Sequence, residues 1–220
     1  MLPNRNPSHA IGDLLSQGLV AMQLSVDERQ FEQLLAYISL LHKWSKTYNL
    51  TATKDPIDLV SLHLLDSLAI LPHLVGDRFI DVGSGAGLPG IPLAIMRPKD
   101  HFVLLDSNGK KTRFLFQVRT QLKLTNTTEV NTRADGYTPQ SKFDAVLTRA
   151  FSDLPKMLQN CHHLIKENGL FLAMKGKWPQ REIDQIPDGY SLLSTDKLCI
   201  PGVEGDRHLI KIKGMGREDS

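Results

Sequence analysis

The sequence predicts an α/β fold in which helices cover a mainly parallel sheet. Short apolar runs alternate with helical patterns from Arg78 onward, and such runs are typical of parallel strands buried on both faces. The last two apolar runs follow each other without a helix between them, which indicates a C-terminal antiparallel hairpin. The first 75 residues show helical patterns only. We therefore expect about seven strands, in a domain over residues 76–220 that follows a helical extension over residues 1–75.

Two amphipathic patterns define the helical extension. Ser25 and Glu28 have the spacing of a capping box, and apolar residues then recur at helical spacing to about Tyr48. A second pattern begins at Pro56, a residue suited to the first turn of a helix. The extension is therefore expected to pack through apolar helix faces.

The strands and the covering helices follow from the later patterns. The predicted strands are 79–82, 102–105, 143–147 and 170–174, with a weaker candidate at 129–131, followed by the hairpin strands 192–200 and 208–212. The predicted helices are 90–96, 109–122 and 154–165. Strands joined by helices place the strand ends that carry functional loops at one edge of the sheet.

Composition excludes several classes of protein. A chain of 220 residues with 41% hydrophobic and 23% charged residues buries a core without disulfides. The two cysteines, Cys161 and Cys199, lack the spacing of a zinc site, and no metal is expected. The longest nearly apolar run, 88–96, is too short for a membrane span, and Asp13 and Gln17 interrupt any signal peptide. We expect a cytoplasmic protein that does not bind membranes.

A glycine-rich turn after the first predicted strand carries the strongest functional signal. The segment 79–90 reads FIDVGSGAGLPG, so Gly83, Gly85 and Gly87 separate a strand from a helix. Glycines at such a turn let a ligand approach the backbone, and the helix N-terminus offers N–H groups to an anion. The turn predicts a nucleotide or nucleoside site; a tight connection without a ligand is the structural alternative.

The spacing of this turn discriminates among cofactors. No Lys or Arg occurs within 79–96, so a GxxxxGKS/T phosphate loop is absent. The GxGxxG pattern of nicotinamide oxidoreductases would need a glycine at Leu88. The GxGxG pattern after Asp81 instead favours S-adenosylmethionine, whose amino and sulfonium groups attract a carboxylate. We therefore predict this cofactor, with S-adenosylhomocysteine as the product.

Polar residues after the next two strands extend the predicted cofactor site. Asp106 ends the second strand, where a carboxylate accepts hydrogen bonds from ribose hydroxyls. Ala134 and Asp135 follow the third strand, and their backbone amide and carboxylate are candidates for adenine contacts. For these two residues a plain surface turn is an equally open interpretation.

Basic residues are concentrated in one segment of the chain. Residues 97–123 hold seven basic and two acidic side chains, whereas the net charge of the whole chain is only +2. A solvated helix face and a phosphate-binding surface both explain this excess. Its position beside the glycine turn favours RNA binding. Lys111 and Arg113 are the predicted phosphate contacts.

The motifs together resemble those of the ribosomal RNA small subunit methyltransferase G family, also called RsmG or GidB. The matching stretches are WSKTYNLTATKDP, HLLDSL, FIDVGSGAGLPGIPLAI, LLDSNGKKTRFL, LTRAF, MKG and DRHLIKI, between residues 44 and 212. The resemblance implies a class I, Rossmann-like, S-adenosylmethionine-dependent methyltransferase that modifies N7 of guanine 527 in bacterial 16S rRNA. We expect 16S rRNA in the 30S subunit or an assembly intermediate as the partner, and no obligate protein partner.

The resemblance also assigns residues to the site. It places cofactor contacts at Gly83, Leu88, Ala134, Asp135 and Arg149. Asp135 stands where the family usually has Glu, and Leu62 stands where it often has a basic residue. Guanine N7 already carries a lone pair, so the expected catalysis rests on positioning and needs no general base.

Basic residues at the ends of the later strands are candidates for the target site. Arg149 is predicted to bridge cofactor and guanine, and Lys175 to contact phosphate or the guanine O6 edge; an ion pair and a surface lysine are the alternatives. Arg207 is a further predicted RNA contact, and bracing of the C-terminal hairpin is the alternative. His63 and Asp66, three residues apart, are more simply explained by a hydrogen bond in helix packing than by metal or acid–base chemistry.

Two other functions remain as hypotheses. A methyltransferase for a small metabolite would not require RNA, and neutralising the basic cluster would leave its activity unchanged. A non-catalytic RNA-binding or ribosome-assembly protein with the same fold would fail to bind S-adenosylmethionine. The intact glycine turn and Asp106 argue against the second hypothesis.

Overall fold

A single seven-stranded sheet forms the centre of the molecule. The computed structural model describes residues 7–48, 50–53, 55–149 and 153–214. The strands are β1 (Arg78–Val82), β2 (His101–Leu105), β3 (Thr127–Val130), β4 (Phe143–Arg149), β5 (Ile165–Lys175), β6 (Tyr190–Lys197) and β7 (His208–Gly214). Their order is β3-β2-β1-β4-β5-β7-β6. Strands β1 to β5 are parallel, and β7 runs antiparallel to both β5 and β6. The predicted α/β fold with a C-terminal hairpin is confirmed.

Eight α-helical segments lie within the described residues. They are α1 (Pro7–Ala21), α2 (Glu28–Tyr48), α3 (Pro56–Asp58), α4 (Asp66–Leu68), α5 (Gly90–Met96), α6 (Gly109–Leu122), α7 (Leu154–Cys161) and α8 (Gln180–Ile183). A π-helical segment, Leu59–Leu65, joins α3 to α4 without a break. None of the described helices is both long and apolar enough to cross a bilayer.

Helix α2 begins with a capping box that the sequence interpretation placed two residues too early. The Asp27 carboxylate accepts a hydrogen bond from the Gln30 amide at 2.7 Å, and the Gln30 side chain accepts one from the Asp27 amide at 3.0 Å. The expected pair, Ser25 and Glu28, was therefore wrong. Aspartate caps a helix as well as serine does, and a glutamine side chain accepts a hydrogen bond from the N-cap amide as well as glutamate does.

Element bounds differ most around the fourth and fifth strands. Helix α7 ends at Cys161, and β5 begins at Ile165, five residues before the predicted strand. Ile165 pairs with Phe143, and the register shifts between Phe143 and Ala145. This irregular pairing lengthens β5 beyond its apolar run, which explains why hydrophobic periodicity alone missed the start of the strand.

Helices from both parts of the chain cover the sheet. On one face, buried side chains of α1, α2, the π-helical segment, α5 and α6 form one apolar cluster with the sheet, in which Leu34 and Phe79 are both fully buried. On the other face, α7 packs through Leu154, Met157 and Leu158. The N-terminal helices therefore share a core with the sheet, which ties them to its functional edge.

Candidate functional site

The loops predicted to carry function meet at one edge of the sheet. Asp81 on β1 pairs with Leu104 on β2 and with Leu147 on β4, so these strands end side by side. A cavity of about 410 Å³ opens there, lined by residues that include Gly83, Asp106, Ala134 and Asp135. We refer to this cavity as the cofactor cleft. Four of the predicted cofactor contacts therefore line the same cavity.

The glycine loop adopts a backbone that requires glycine. Gly83, Gly85 and Gly87 have φ angles of 72°, 60° and 88°, which lie in the left-handed region. A Cβ atom at Gly87 would also lie 2.5 Å from Ile91. At Gly85 the nearest atom would be 3.7 Å away, so conformation rather than space selects glycine at that position.

Asp81 holds this loop from beneath. Its side chain is fully buried, and Oδ2 accepts hydrogen bonds from the Ser84 hydroxyl at 2.6 Å and the Gly90 amide at 3.0 Å. Burial raises the pKa of Asp81 to about 6, and the nearby Asp106 carboxylate adds to the rise. Oδ1 is buried without a hydrogen-bond partner. The loop therefore rests on a carboxylate that retains one unused acceptor.

Asp106 connects the second strand to the same loop. Oδ2 accepts a hydrogen bond from the Gly85 amide at 2.9 Å, and Oδ1 accepts one from the Asn108 amide at 2.8 Å. The Lys111 ammonium lies 3.6 Å from Oδ2. Each carboxylate oxygen has a second lone pair, so both remain able to accept from a ligand's hydroxyl groups. Asp106 thus has the chemistry expected of a ribose ligand.

Ala134 and Asp135 line the cofactor cleft, whereas Leu88 lies in the apolar core. Ala134 and Asp135 lie in a 3-10 turn on the cleft wall, where the half-exposed Asp135 carboxylate is 3.4 Å from Arg133 Nε. Leu88 is buried in the apolar core at the far side of the glycine loop. Its amide donates a hydrogen bond to the Ser84 carbonyl at 3.1 Å, which stabilises the turn.

A second cavity, of about 300 Å³, lies at the ends of β4 and β5. We call it the target pocket. Its lining includes Arg149, Lys175 and Arg207, together with Asp66 and His208. The structure therefore brings together three basic residues that come from separate parts of the sequence. Arg149, predicted to touch both the cofactor and the guanine, lines the target pocket.

Asp66 ties two of these arginines to the N-terminal helices. Its Oδ2 lies 3.2 Å from Arg149 Nε, and its Oδ1 lies 3.2 Å from Arg207 Nε. Burial raises the pKa of Asp66 above its ordinary value, while the two guanidinium groups partly offset that rise. A buried carboxylate between two arginines fixes their orientation toward the pocket.

Arg149 is also held by the π-helical segment. Its Nη2 donates to the Leu62 carbonyl and to His63 Nδ1, each at 2.8 Å. Burial and the adjacent guanidinium lower the pKa of His63 to about 4, so the imidazole is neutral and accepts through Nδ1. His63 and Asp66 thus both take part in packing the N-terminal helices against the sheet, through contacts to Arg149 on β4.

Lys175 is positioned by an acidic residue beyond its strand. Its ammonium lies 2.7 Å from Glu182 Oε2, and the same oxygen accepts a hydrogen bond from the Leu154 amide at 2.8 Å. The Lys175 side chain is 15% exposed. Glu182 therefore links the lysine to the start of α7 and limits how far it can move.

The comparison with protein families identifies the chain. The model of the family described as rRNA small subunit methyltransferase G, GidB, matches residues 30–210. The chain belongs to the rRNA small subunit methyltransferase G family. Proteins named ribosomal RNA small subunit methyltransferase G are similar throughout. The Shewanella amazonensis protein is 50% identical, with 92% of this chain and 98% of the relative covered. The Vibrio vulnificus protein is 54% identical, with 85% of this chain and 89% of the relative covered. The resemblance stated from the motifs is confirmed.

Solved structures place this family member in the class I methyltransferase fold. TYW2 of P. horikoshii in complex with MeSAdo is similar with a TM-score of 0.55 and 14% identity, covering 70% of this chain and 62% of that chain. The N-methyltransferase NodS of Bradyrhizobium japonicum WM9 gives a TM-score of 0.51 and 13% identity, covering 69% of this chain and 93% of that chain. The predicted Rossmann-like fold of S-adenosylmethionine-dependent methyltransferases is confirmed.

Some basic residues of segment 97–123 make contacts within the fold of this methyltransferase, and others lie at its surface. Arg97 donates to the Leu74 and Gly76 carbonyls, both at 2.9 Å, and Arg119 pairs with Glu129 at 2.9 Å. Lys111 lines the cofactor cleft, and Arg113 is exposed on α6. Two of the seven basic residues therefore stabilise the fold, and the segment does not present all its charges to a ligand.

Sequence reasoning missed Glu182 as a partner of Lys175 and underestimated Asp66. The sequence signal for Asp66 was the HLLDSL motif, whose His63 and Asp66 lie one helical turn apart. No comparable signal marked Glu182. Within the described ranges, no group of three or more His, Cys, Asp or Glu side chains is arranged to hold a metal ion.

Proposed function

We propose that the protein transfers the methyl group of S-adenosylmethionine to N7 of guanine 527 in 16S rRNA. The observation that carries this proposal is the pairing of two cavities on neighbouring strand ends in a member of this family. The cofactor cleft follows β1, β2 and β3, and the target pocket follows β4 and β5. Because β1 and β4 are adjacent, a bound cofactor would face the base.

The cofactor cleft offers a complementary group for each part of S-adenosylmethionine. The Asp106 carboxylate would accept the ribose hydroxyls, and the turn at Ala134 and Asp135 would contact the adenine. The glycine loop at Gly83 and Gly85 gives the amino-acid part access to the backbone. The unused Oδ1 of Asp81 is a buried acceptor suited to a donor at the base of the loop. The bound cofactor supplies an electrophilic methyl group on a sulfonium.

The target pocket would orient the guanine without removing a proton. The guanine would use the lone pair of N7 to take the methyl group that the sulfonium supplies, the electron pair of the methyl–sulfur bond would stay on sulfur, and the positive charge would pass to the purine. Arg149 and Lys175 would hold the O6 edge or a phosphate of the target nucleotide. Holding N7 in line with the methyl–sulfur bond is then the main source of rate enhancement.

The rRNA is proposed to be recognised in the cytoplasm as part of a 30S particle or an assembly intermediate. Lys111, Arg113 and Arg207 would contact phosphates, and no obligate protein partner is required. A folded rRNA loop must present a single base to a pocket of about 300 Å³, which favours a substrate whose surroundings are already ordered.

A transfer assay tests this proposal. Radiolabelled S-adenosylmethionine is incubated with the protein and 30S particles that lack the modification, with 50S particles as a control. Label in 16S rRNA alone supports the proposal. If the cofactor binds but no RNA is labelled, the metabolite hypothesis replaces it. If the cofactor does not bind, the assignment of the glycine loop is itself wrong.

A further inference from the structure

A tryptophan at the rim of the target pocket suggests how a second nucleotide is held. We propose that Trp178 is a stacking platform for an unpaired RNA base beside the target guanine. The inference rests on the proposed function, because it requires an RNA substrate in the pocket.

The position of Trp178 is fixed by its neighbours. The residue lies in the short loop between β5 and α8, and its indole N–H donates to Gln180 Oε1 at 2.9 Å. Its ring meets that of His208 at a centroid distance of 5.3 Å and an interplanar angle of 75°. His208 lines the target pocket. The indole is therefore held at the edge of the pocket rather than free to turn.

One face of the indole is available to a ligand. Trp178 is 47% exposed, and an edge-to-face contact covers at most one face of a ring. Two other exposed aromatic rings contact residues of their own helices instead. Tyr48 packs on Trp44 at 5.0 Å, and Phe116 has the Arg119 guanidinium 5.2 Å above its ring. Trp178 thus combines exposure with a fixed orientation beside a pocket.

The charges around Trp178 favour RNA over a protein surface. Lys177 and Arg181 are exposed on either side of it in the chain, and Lys175 and Arg207 line the adjacent pocket. Aromatic side chains among basic residues bind single-stranded RNA, since bases stack on the ring while cations contact the phosphates. A base displaced next to the target would have both partners here.

Steady-state kinetics with unmodified 30S particles test the inference. The Trp178→Ala protein is expected to show a KM for 30S particles raised about 5-fold or more, with the KM for S-adenosylmethionine changed less than 2-fold. Trp178→Phe retains an aromatic face and is expected to recover most of the affinity. Phe116→Ala removes an equally exposed ring from α6 and serves as the matched control.

The outcomes separate this inference from the proposed function. An unchanged KM for 30S particles in Trp178→Ala overturns the stacking role, as does an equal rise in Trp178→Phe or in Phe116→Ala. In each case the wild-type protein still methylates RNA, so the proposed function stands. A wild-type protein that labels no RNA overturns both.

Discussion

The hydroxyl of Tyr37 donates a 2.7 Å hydrogen bond to the carbonyl of Ala86, which joins helix α2 to the glycine loop. Tyr37 is fully buried, and burial raises its pKa above the ordinary value, so the phenol stays protonated and remains a donor. One turn earlier in the same helix, the side-chain amide of Gln33 donates a hydrogen bond to the carbonyl of Leu122, the last residue of α6, at 2.7 Å. Helix α2 therefore stabilises the glycine loop and the end of α6 through these two hydrogen bonds.

Removing the Tyr37 hydroxyl is expected to loosen the glycine loop. In Tyr37→Phe the Ala86 carbonyl loses its partner, which should cost ~1 kcal/mol of unfolding free energy. The Kd for S-adenosylmethionine should rise about 3-fold or more. Urea denaturation and calorimetric titration measure the two effects. Tyr190→Phe, whose hydroxyl bonds the Leu158 carbonyl at 3.5 Å on the other face, is the control. An unchanged cofactor Kd in Tyr37→Phe would contradict this role.

Replacing Asp106 is expected to abolish most cofactor binding. Asp106→Ala removes the acceptor of the Gly85 amide and the proposed ribose ligand together. The Kd for S-adenosylmethionine should rise about 10-fold or more, because hydrogen bonds to charged groups are the stronger class. Asp196→Ala, which breaks a 3.1 Å ion pair with Lys211 on the hairpin, should leave the Kd unchanged. Equal effects of both variants would rule out a specific role for Asp106.

The two ends of β5 provide a matched pair of lysines. Lys175 pairs with Glu182 at 2.7 Å at the functional edge, and Lys166 pairs with Asp144 at 2.7 Å at the opposite edge. Lys175→Ala should lower kcat/KM for 30S particles about 10-fold or more, since the proposed contact to the target nucleotide would be lost. Lys166→Ala should change it less than 2-fold. The assignment fails if the two variants behave alike.

The buried imidazole of His63 makes a contribution to stability that is lost in mild acid. Its folded pKa is about 4 against an ordinary value of 6.5, so the unfolded chain takes up the proton first. The contribution of His63 to the unfolding free energy should therefore fall as the pH drops from about 6.5 toward 4, by at most ~3 kcal/mol. The raised pKa values of Asp81 and Asp66 act in the opposite direction, so the effect of His63 is read as the difference between the wild-type protein and His63→Gln. Urea denaturation at pH 7.5, 6 and 5 measures the loss. The unfolding free energy of His63→Gln should fall less over this pH range than that of the wild-type protein. Identical pH profiles for the two proteins would contradict the burial of a neutral His63.

Local sequence signals predicted the elements around the cofactor cleft well. Helices 90–96 and 109–122 have the expected bounds, because each directly follows a loop whose backbone chemistry is visible in the sequence. The left-handed φ angles at Gly83, Gly85 and Gly87 need glycine, and the Asn108 side chain caps α6 by accepting from the Lys110 amide. Such features depend on neighbours in the chain.

The target half depends on contacts that no local pattern reports. Asp66 and Arg149 lie 83 residues apart and meet only after the N-terminal helices dock on the sheet. The π-helical turns at Leu59–Leu65 direct His63 and the Leu62 carbonyl to Arg149, whereas the sequence pattern predicted an ordinary helix. Tertiary packing therefore decides which atoms hold Arg149.

Mapping the methylated nucleotide shows directly whether the protein modifies N7 of guanine 527. After reaction with the wild-type protein, 16S rRNA from 30S particles that lacked the modification is digested, and the modified nucleotide is mapped by mass spectrometry. We expect one N7-methylguanosine, at position 527, with no other new modification. A methyl group on another atom of that guanine, or on another nucleotide, would contradict it.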